Sequence, residues 1–510
     1  MKQTKRKQNM AVFGAVVLLL AMVAVLSGPA KAQDLSEFEK RITVFTLDNG
    51  LKFIVLERHE APVVSFHTYA NVGSVDEVKG ITGLAHLFEH MAFKGTKTIG
   101  TQNYRAEAKA MTKEDKAFLA IKAEERKGDK ADKEKLEELQ KRFEEAQKEA
   151  QEYLVHDEFE EIYSRNGASG FNAYTSWDAT QYIVSLASNK TELWMSLESD
   201  RFLNPVIREF YKERNVVMEE RRMMENNPQG RLVEDFMASA YKAHPYGEPI
   251  VGHMSDIQTI TRAEAEAFFK KYYGPGNLTI AIVGDVQPEE IEKMARRYFG
   301  RVPGGPKPEP VETVEPPQRG ERRVVVEDLS QPIVIIGYHK ANINHPDNAV
   351  FDCLSDIVGT GRTSRLYKSL VKEKKIAIEA SGFQGMPGNK YAGLFLFYAV
   401  PAKGHTNQEC EEAIYAEIEK LKTEFVTPEE LKKSKTRIRA DIIRQLDSND
   451  GLAALLTFYD VVTGDWRNLF KQLDDIEKVI ADDVQRVAKE YFTSKNRTVG
   501  AIETTTAEKL

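Results

Sequence analysis

The sequence predicts an α+β protein built from two similar halves. Three observations point there. Residues 256–279 (DIQTITRAEAEAFFKKYYGPGNLT) and 475–498 (DIEKVIADDVQRVAKEYFTSKNRT) align at a constant offset of 219, pairing Asp256 with Asp475, Ile257 with Ile476, Tyr272 with Tyr491 and Asn277 with Asn496. A period this long means two related domains, not a solenoid. Between the copies lies PGGPKPEPVETVEPPQRG, residues 303–320, a linker composition. Elsewhere strands and helices mix without regular βαβ alternation, which favours α+β. The expected division is 33–302, a linker over 303–320, and 321–510.

At the N-terminus, Lys2, Lys5, Arg6 and Lys7 precede an apolar run at 10–27, and Ala30-Lys31-Ala32 comes after it. This is the pattern of a signal peptide, residues 1–32, cut near Ala32. The competing reading is an uncleaved membrane anchor. Cleavage would leave a periplasmic or secreted chain. RITVFTL-DNG-LKFIVLE reads as a hairpin turned at Asp48-Asn49-Gly50. A strand at 64–72 and a short apolar helix around 83–96 come next. Residues 105–153, rich in Ala, Glu, Lys and Leu and broken at Gly128–Asp132, read as an inserted helical hairpin. It is either a solvated protrusion or a contact surface. In the second half the pattern predicts a strand at 333–339, a helix at 347–359, strands within 376–400, and helices at 407–424 and 428–447.

A formal net charge of −7 argues against a nucleic-acid partner. The two cysteines, Cys353 and Cys410, permit a disulfide in an oxidising compartment without requiring one.

The chemistry is concentrated in GLAHLFEHMAFKGT, residues 83–96. Apolar residues at 84, 87, 88 and 91 give helical spacing. His86 and His90 then lie four apart on one face. Two imidazoles so placed can meet at one metal ion with bonds of about 2.0–2.1 Å. Glu89 lies near the same face. The order H-x-x-E-H is a metal-hydrolase pattern. A catalytic zinc needs a third protein ligand. EFYKERNVVMEERRMMENNP (209–228) offers Glu213 and Glu220, seven apart on one helical face, with Glu219 as an adjacent competitor. Spacing alone leaves Glu219 and Glu220 both open.

H-x-x-E-H followed by E-x6-E in a duplicated chain resembles the M16 metallopeptidases, the pitrilysin and mitochondrial-processing-peptidase family. The resemblance runs through GLAHLFEHMAFKGT, FNAYTSWDATQYIVSL (171–186) and ERNVVMEE (213–220) and spans essentially the whole mature chain. It implies two homologous α/β-roll domains forming half a clamshell, only the first of them binding metal. It implies one zinc ion per chain, held by His86, His90 and Glu220, with Glu213 supporting them. Glu89 would be the general base for a water that attacks a peptide carbonyl. No side-chain nucleophile is expected. Asn172, Ala173, Tyr174 and Thr175 resemble the edge strand against which a substrate peptide pairs. Phe93 matches a residue lining the pocket just past the scissile bond, with core packing as its other reading.

The chain also departs from that family. Single-chain members carry an Arg and a Tyr seven residues apart in the C-terminal half as oxyanion donors. The matching positions here are Val371 and Ile378, and neither side chain can donate. Arg365 and Tyr367 lie nearby at the wrong spacing. The chain therefore resembles the zinc-bearing subunit of a pair. The expectation is a heterodimer with a zinc-less M16-like subunit that carries the Arg/Tyr pair, or else a homodimer. Where the mitochondrial subunit presents two acids, this chain has Gly230 and Glu234, so presequence-like cleavage is not expected. The implied activity is that of an exported zinc endopeptidase acting on peptides or unfolded segments. The competing readings are a non-catalytic, peptide-binding scaffold and a metal hydrolase of another substrate.

Overall fold

The computed structural model describes residues 35–505. The signal-peptide reading concerns residues outside these. The N-terminal compact unit ends at Thr43, and its described part is a short helix, Leu35–Lys40, followed by the start of a strand. From Val44 onward the chain forms a second compact unit. Among the described residues, no helix is long and apolar enough to cross a membrane.

The second unit is organised by two sheets. The first has six strands: β1 (Ile42–Thr46), β2 (Lys52–Glu57), β3 (Val63–Ala70), β4 (Ser169–Thr175), β5 (Thr180–Ala187) and β6 (Leu278–Gly284), in the order β1-β2-β6-β3-β5-β4. Gly50, at φ 94°, turns the chain between β1 and β2 as the Asp-Asn-Gly signal predicts. β4 pairs with β5 alone and leaves its other edge open. The second sheet has five strands: β7 (Arg322–Asp328), β8 (Ile333–Lys340), β9 (Ala377–Met386), β10 (Gly393–Pro401) and β11 (Arg497–Thr504), in the order β7-β11-β8-β10-β9.

Ten helices bear on the site or on the joining of the two halves: α1 (Leu84–Met91), α2 (Tyr104–Glu125), α3 (Lys133–Gln151), α4 (Phe210–Asn226), α5 (Pro228–Ala240), α6 (Arg262–Tyr272), α7 (Asn348–Gly359), α8 (Pro428–Asp447), α9 (Asn449–Thr463) and α10 (Ala481–Tyr491). The repeat is visible in three dimensions. α6 and α10 each lead through a 3-10 turn into an inner strand, β6 or β11. The repeated asparagines have one job. Asn277 Nδ2 donates to Tyr272 O at 2.8 Å, and Asn496 Nδ2 donates to Tyr491 O at 2.9 Å. Each closes the carbonyl end of its helix, where no backbone donor remains.

The two halves are not separable bodies. α5, from the first half, packs across β7 and β11, while α9, from the second half, packs across β3 and β6. Lys52 on β2 reaches Asp460 on α9 at 2.6 Å. Gly500 on β11 lies so close to the Phe236 ring of α5 that a Cβ there would sit 2.9 Å from it. Residues 303–320 contain no helix or strand. They are pinned even so: the Glu315 carboxylate accepts from the backbone N–H of Lys242, Ala243 and His244 at 2.8–3.0 Å.

The α2–α3 hairpin stands where the composition predicts, and Gly128–Lys130 forms its turn. Only its outer face is solvated. Phe118, Ile121, Leu139 and Phe143 point inward and join the main core. Phe118 and Phe143 pack on Tyr211 of α4, with ring centroids 4.6 and 5.3 Å away. Cys353 and Cys410 are both buried with free thiols. Burial pushes the Cys353 thiol up to about 12 and the Cys410 thiol to about 11, which makes both unreactive.

Candidate active site

α1 carries the H-x-x-E-H residues, and its placement begins with a glycine and a buried acid. Gly83 precedes the helix at φ 91°, and a Cβ there would meet Val251 O at 2.3 Å. Only glycine fits. Glu77, 7% exposed, accepts from Gly83 N at 2.7 Å and from Ala85 N at 2.6 Å. It caps two of the orphan donors at the helix start. Burial pushes the Glu77 carboxyl up to about 8, although those two N–H groups favour its anion. The apolar side of α1 (Leu84, Leu87, Phe88, Met91) is buried in the core, so His86, Glu89 and His90 face the partly exposed side.

α4 lies against α1 and supplies the third group. His86 Nε2 is 3.4 Å from Glu220 Oε2, and His90 Nε2 is 3.8 Å from Glu220 Oε1. One potential ligand atom from each of the three residues falls within a 4.8 Å set. Ligand atoms on a tetrahedral zinc with bonds of about 2.0–2.1 Å lie about 3.4 Å apart. The donor set, two imidazoles and one carboxylate, therefore fits zinc in chemistry and in spacing. Glu219, the competitor left open by spacing, is 67% exposed and paired with Arg222. Burial lowers the His86 imidazole to about 4, so it is neutral, the form that ligates a metal.

Glu213 sits behind the cluster. Its Oε2 is 3.4 Å from His90 Nδ1, and Lys94 holds its other oxygen. Burial alone would raise this carboxyl, but the His90 and Lys94 hydrogen bonds outweigh it and bring it down to about 2. An anionic Glu213 on Nδ1 fixes the His90 tautomer and leaves Nε2 free toward Glu220. His90 feels burial as a lowering effect, yet Glu213 and Glu220 leave it raised overall.

Glu89 lines the same cavity as His90. Burial raises its carboxyl, partly offset by a hydrogen bond from the Thr175 hydroxyl at 2.6 Å. That bond has no signal in the sequence, because it joins residues 86 positions apart. β4 ends beside it. Asn172 and Tyr174 are exposed on the open edge strand, Ala173 is buried, and Tyr174 donates to Gln181 at 2.9 Å. Phe93 does two things at once. It packs edge-on to Phe171 at 5.2 Å, and with Glu89 and His90 it lines a cavity of about 250 Å³.

The other positions singled out in the sequence lie elsewhere. Arg365 is held by Glu430 at 2.9 and 3.0 Å. Val371 is packed against the second core, and Ile378, on β9, is 57% exposed. Glu234 makes a two-pronged ion pair with Arg221 at 2.6 and 2.7 Å.

Comparison with known proteins identifies the family of the chain. The profile described as insulinase (peptidase family M16) matches residues 53–123 and 143–253, breaking at the tip of the α2–α3 hairpin. The profile described as the peptidase M16 inactive domain matches residues 259–438. The zinc protease PqqE of Helicobacter pylori is 30% identical over 465 residues, covering 89% of this chain and 90% of that protein. A probable mitochondrial-processing peptidase subunit beta of Arabidopsis thaliana is 22% identical over 484 residues, covering 92% of this chain and 79% of that one. The crystal structure of a protease from Helicobacter pylori superposes with a TM-score of 0.75 at 28% identity, covering 91% of this chain and 99% of that one. The chain belongs to peptidase family M16, whose members among these relatives include zinc proteases.

Proposed function

We propose that this chain is an exported zinc endopeptidase acting on peptides or unfolded segments, with His86, His90 and Glu220 as metal ligands and Glu89 as general base. The observation that carries the reading is the meeting of those three side chains beside Glu89 at the open edge of β4. Zinc bound there supplies Lewis acidity, activating water and polarising the scissile carbonyl. The chain's own groups do the rest. The edge of β4 at Asn172–Thr175 pairs with the substrate backbone, giving affinity with little sequence choice. Phe93 lines the cavity for the side chain beyond the scissile bond. Glu89 takes a proton from the attacking water on Oε1 and delivers it to the leaving amine. Burial, which raises this carboxyl, suits it to act as acid as well as base. Glu213 orients His90.

In this reading residues 33–302 form the metal-binding domain and 321–510 the domain without metal, and residues 1–32 direct export. A tetrahedral oxyanion needs donors besides the metal. Val371 and Ile378 offer none, and Arg365 is committed to Glu430. The missing Arg/Tyr pair then comes from a partner of similar fold. The Arabidopsis thaliana relative is itself called a subunit. Glu234, occupied by Arg221, is not free to take a basic substrate residue. A scaffold without catalysis would not need an intact ligand set and base.

The test uses residues 33–510 with zinc content determined, an unstructured peptide library, a chelator, and Glu89→Gln. Chelator-sensitive turnover lost in Glu89→Gln supports the peptidase and removes the need for a partner. Stoichiometric zinc without turnover supports the partner form. Failure to bind zinc would sink the ligand assignment.

A further inference from the structure

One side chain outside the ligand set touches the base. Thr175 closes β4, and its hydroxyl lies 2.6 Å from Glu89 Oε2. A hydroxyl has a single proton to donate. The only other hydroxyl near it among the described residues is that of Thr180, at 3.5 Å. Thr180 spends its own proton on the Val72 carbonyl at 3.0 Å and accepts from Tyr273 at 3.3 Å. The proton of Thr175 is therefore directed at the Glu89 carboxylate. The bond ties the helix that carries the base to the strand whose edge is open.

The anchor is itself held from both halves of the chain. After Thr175 the chain turns tightly, with Ser176 N donating to Ala179 O at 2.8 Å. Asp178 within that turn accepts from Asn389 N at 2.7 Å, from Lys390 N at 3.0 Å and from the Tyr246 hydroxyl. The segment bearing Asn389 and Lys390 belongs to the second half. It passes so close that a Cβ on Gly388 would lie 2.4 Å from Asp178 Oδ2.

We infer that Thr175 is a positioning residue: it holds Glu89 by Oε2, leaves Oε1 for proton transfer, and couples a peptide docked on β4 to the alignment of the base. This rests on the reading of Glu89 as general base.

Thr175→Val removes the hydroxyl donor, leaves the Thr175 backbone N–H that also favours the Glu89 anion, and keeps the β-branched shape, whereas Thr175→Ser keeps the hydroxyl. In Thr175→Val, kcat is expected to fall about 10- to 100-fold, the scale of a slightly misplaced catalytic group. Zinc content is expected to stay at the wild-type value, the loss is expected in kcat far more than in KM, and Thr175→Ser recovers most of the rate. Wild-type kcat in Thr175→Val, equal losses in both variants, or a loss confined to KM each overturn the inference. Crystal structures of the wild type and Thr175→Val decide it independently of turnover. The Glu89 carboxylate is expected to leave its wild-type position, and a carboxylate that has not moved overturns the inference. A wild-type chain that binds zinc but cleaves no peptide in any assembly would refute the peptidase reading instead, and the structural comparison would still judge Thr175.

Discussion

Glu89 and Glu220 are both carboxylates facing the same space, yet their surroundings give them different work. Glu220 lies opposite two imidazoles, and Glu89 is held by a neutral hydroxyl. Glu89→Gln preserves shape and hydrogen bonding but cannot accept a proton. It is expected to keep stoichiometric zinc and to lose turnover by about 100-fold or more. Zinc analysis beside a peptide assay checks both halves of that statement. Glu213→Ala tests the support for His90. Its loss frees Nδ1, and zinc affinity measured by chelator competition is expected to weaken about 10- to 100-fold. Arg222→Ala, whose partner Glu219 faces solvent, is expected to change neither.

At the scale of elements, the short helix α1 depends on its neighbours. Its eight residues are too few to be stable alone. Its N-terminus is secured by the side chain of Glu77, six residues upstream of Gly83. Glu77→Ala leaves those N–H groups without a partner in a buried place. The expected cost is about 1–3 kcal/mol in a urea titration, with loss of zinc at temperatures where the wild type retains it. β3 carries a second buried polar group. His67 is fully buried, and burial lowers its imidazole to about 4, with Gln181 offsetting part of the effect. The unfolded chain takes up this proton near pH 6.5 and the native chain refuses it until about pH 4. The His67 contribution to stability is therefore intact above pH 6.5 and is lost as pH falls through that window, about 3 kcal/mol in all. Urea midpoints at pH 7.5 and pH 5, compared between the wild type and His67→Leu, check the sign: the variant is expected to lose less on acidification.

For the whole molecule, the exchange of helices has a consequence. His67 shares a face of β3 with Tyr69, which packs with Val462 of α9, so the first sheet is covered by a helix from the second half. The second sheet is covered in turn by α5. Each half made alone would expose an apolar sheet face. Residues 33–302 expressed alone are expected to aggregate or to bind zinc substoichiometrically, and co-expression with 321–510 is expected to restore a soluble, zinc-loaded complex. A soluble, stoichiometrically loaded 33–302 fragment would contradict this. The same interlock lets the second half bear on the site. Through Asp178, residues 389 and 390 hold the turn that comes after Thr175.

What the sequence determined by itself is what local periodicity and short spacing encode. The 219-residue repeat, the motif helix, the α2–α3 hairpin and the prolines and glycines of 303–320 were legible because each is a property of neighbouring residues. His86, Glu89 and His90 came from a helical period and a four-residue spacing. Periodicity could not choose between Glu219 and Glu220, because adjacent positions on a helix differ only in which way they face. That choice belongs to the packing of α4 on α1. The hairpin read as a possible protrusion because its charges dominate its composition, whereas four apolar side chains fix its inner face to the core. Thr175 on Glu89, Glu77 under α1 and the crossed helices α5 and α9 carry no local signature. They join residues far apart in the chain, and only the closing of the tertiary structure brings such groups within hydrogen-bonding and packing distance.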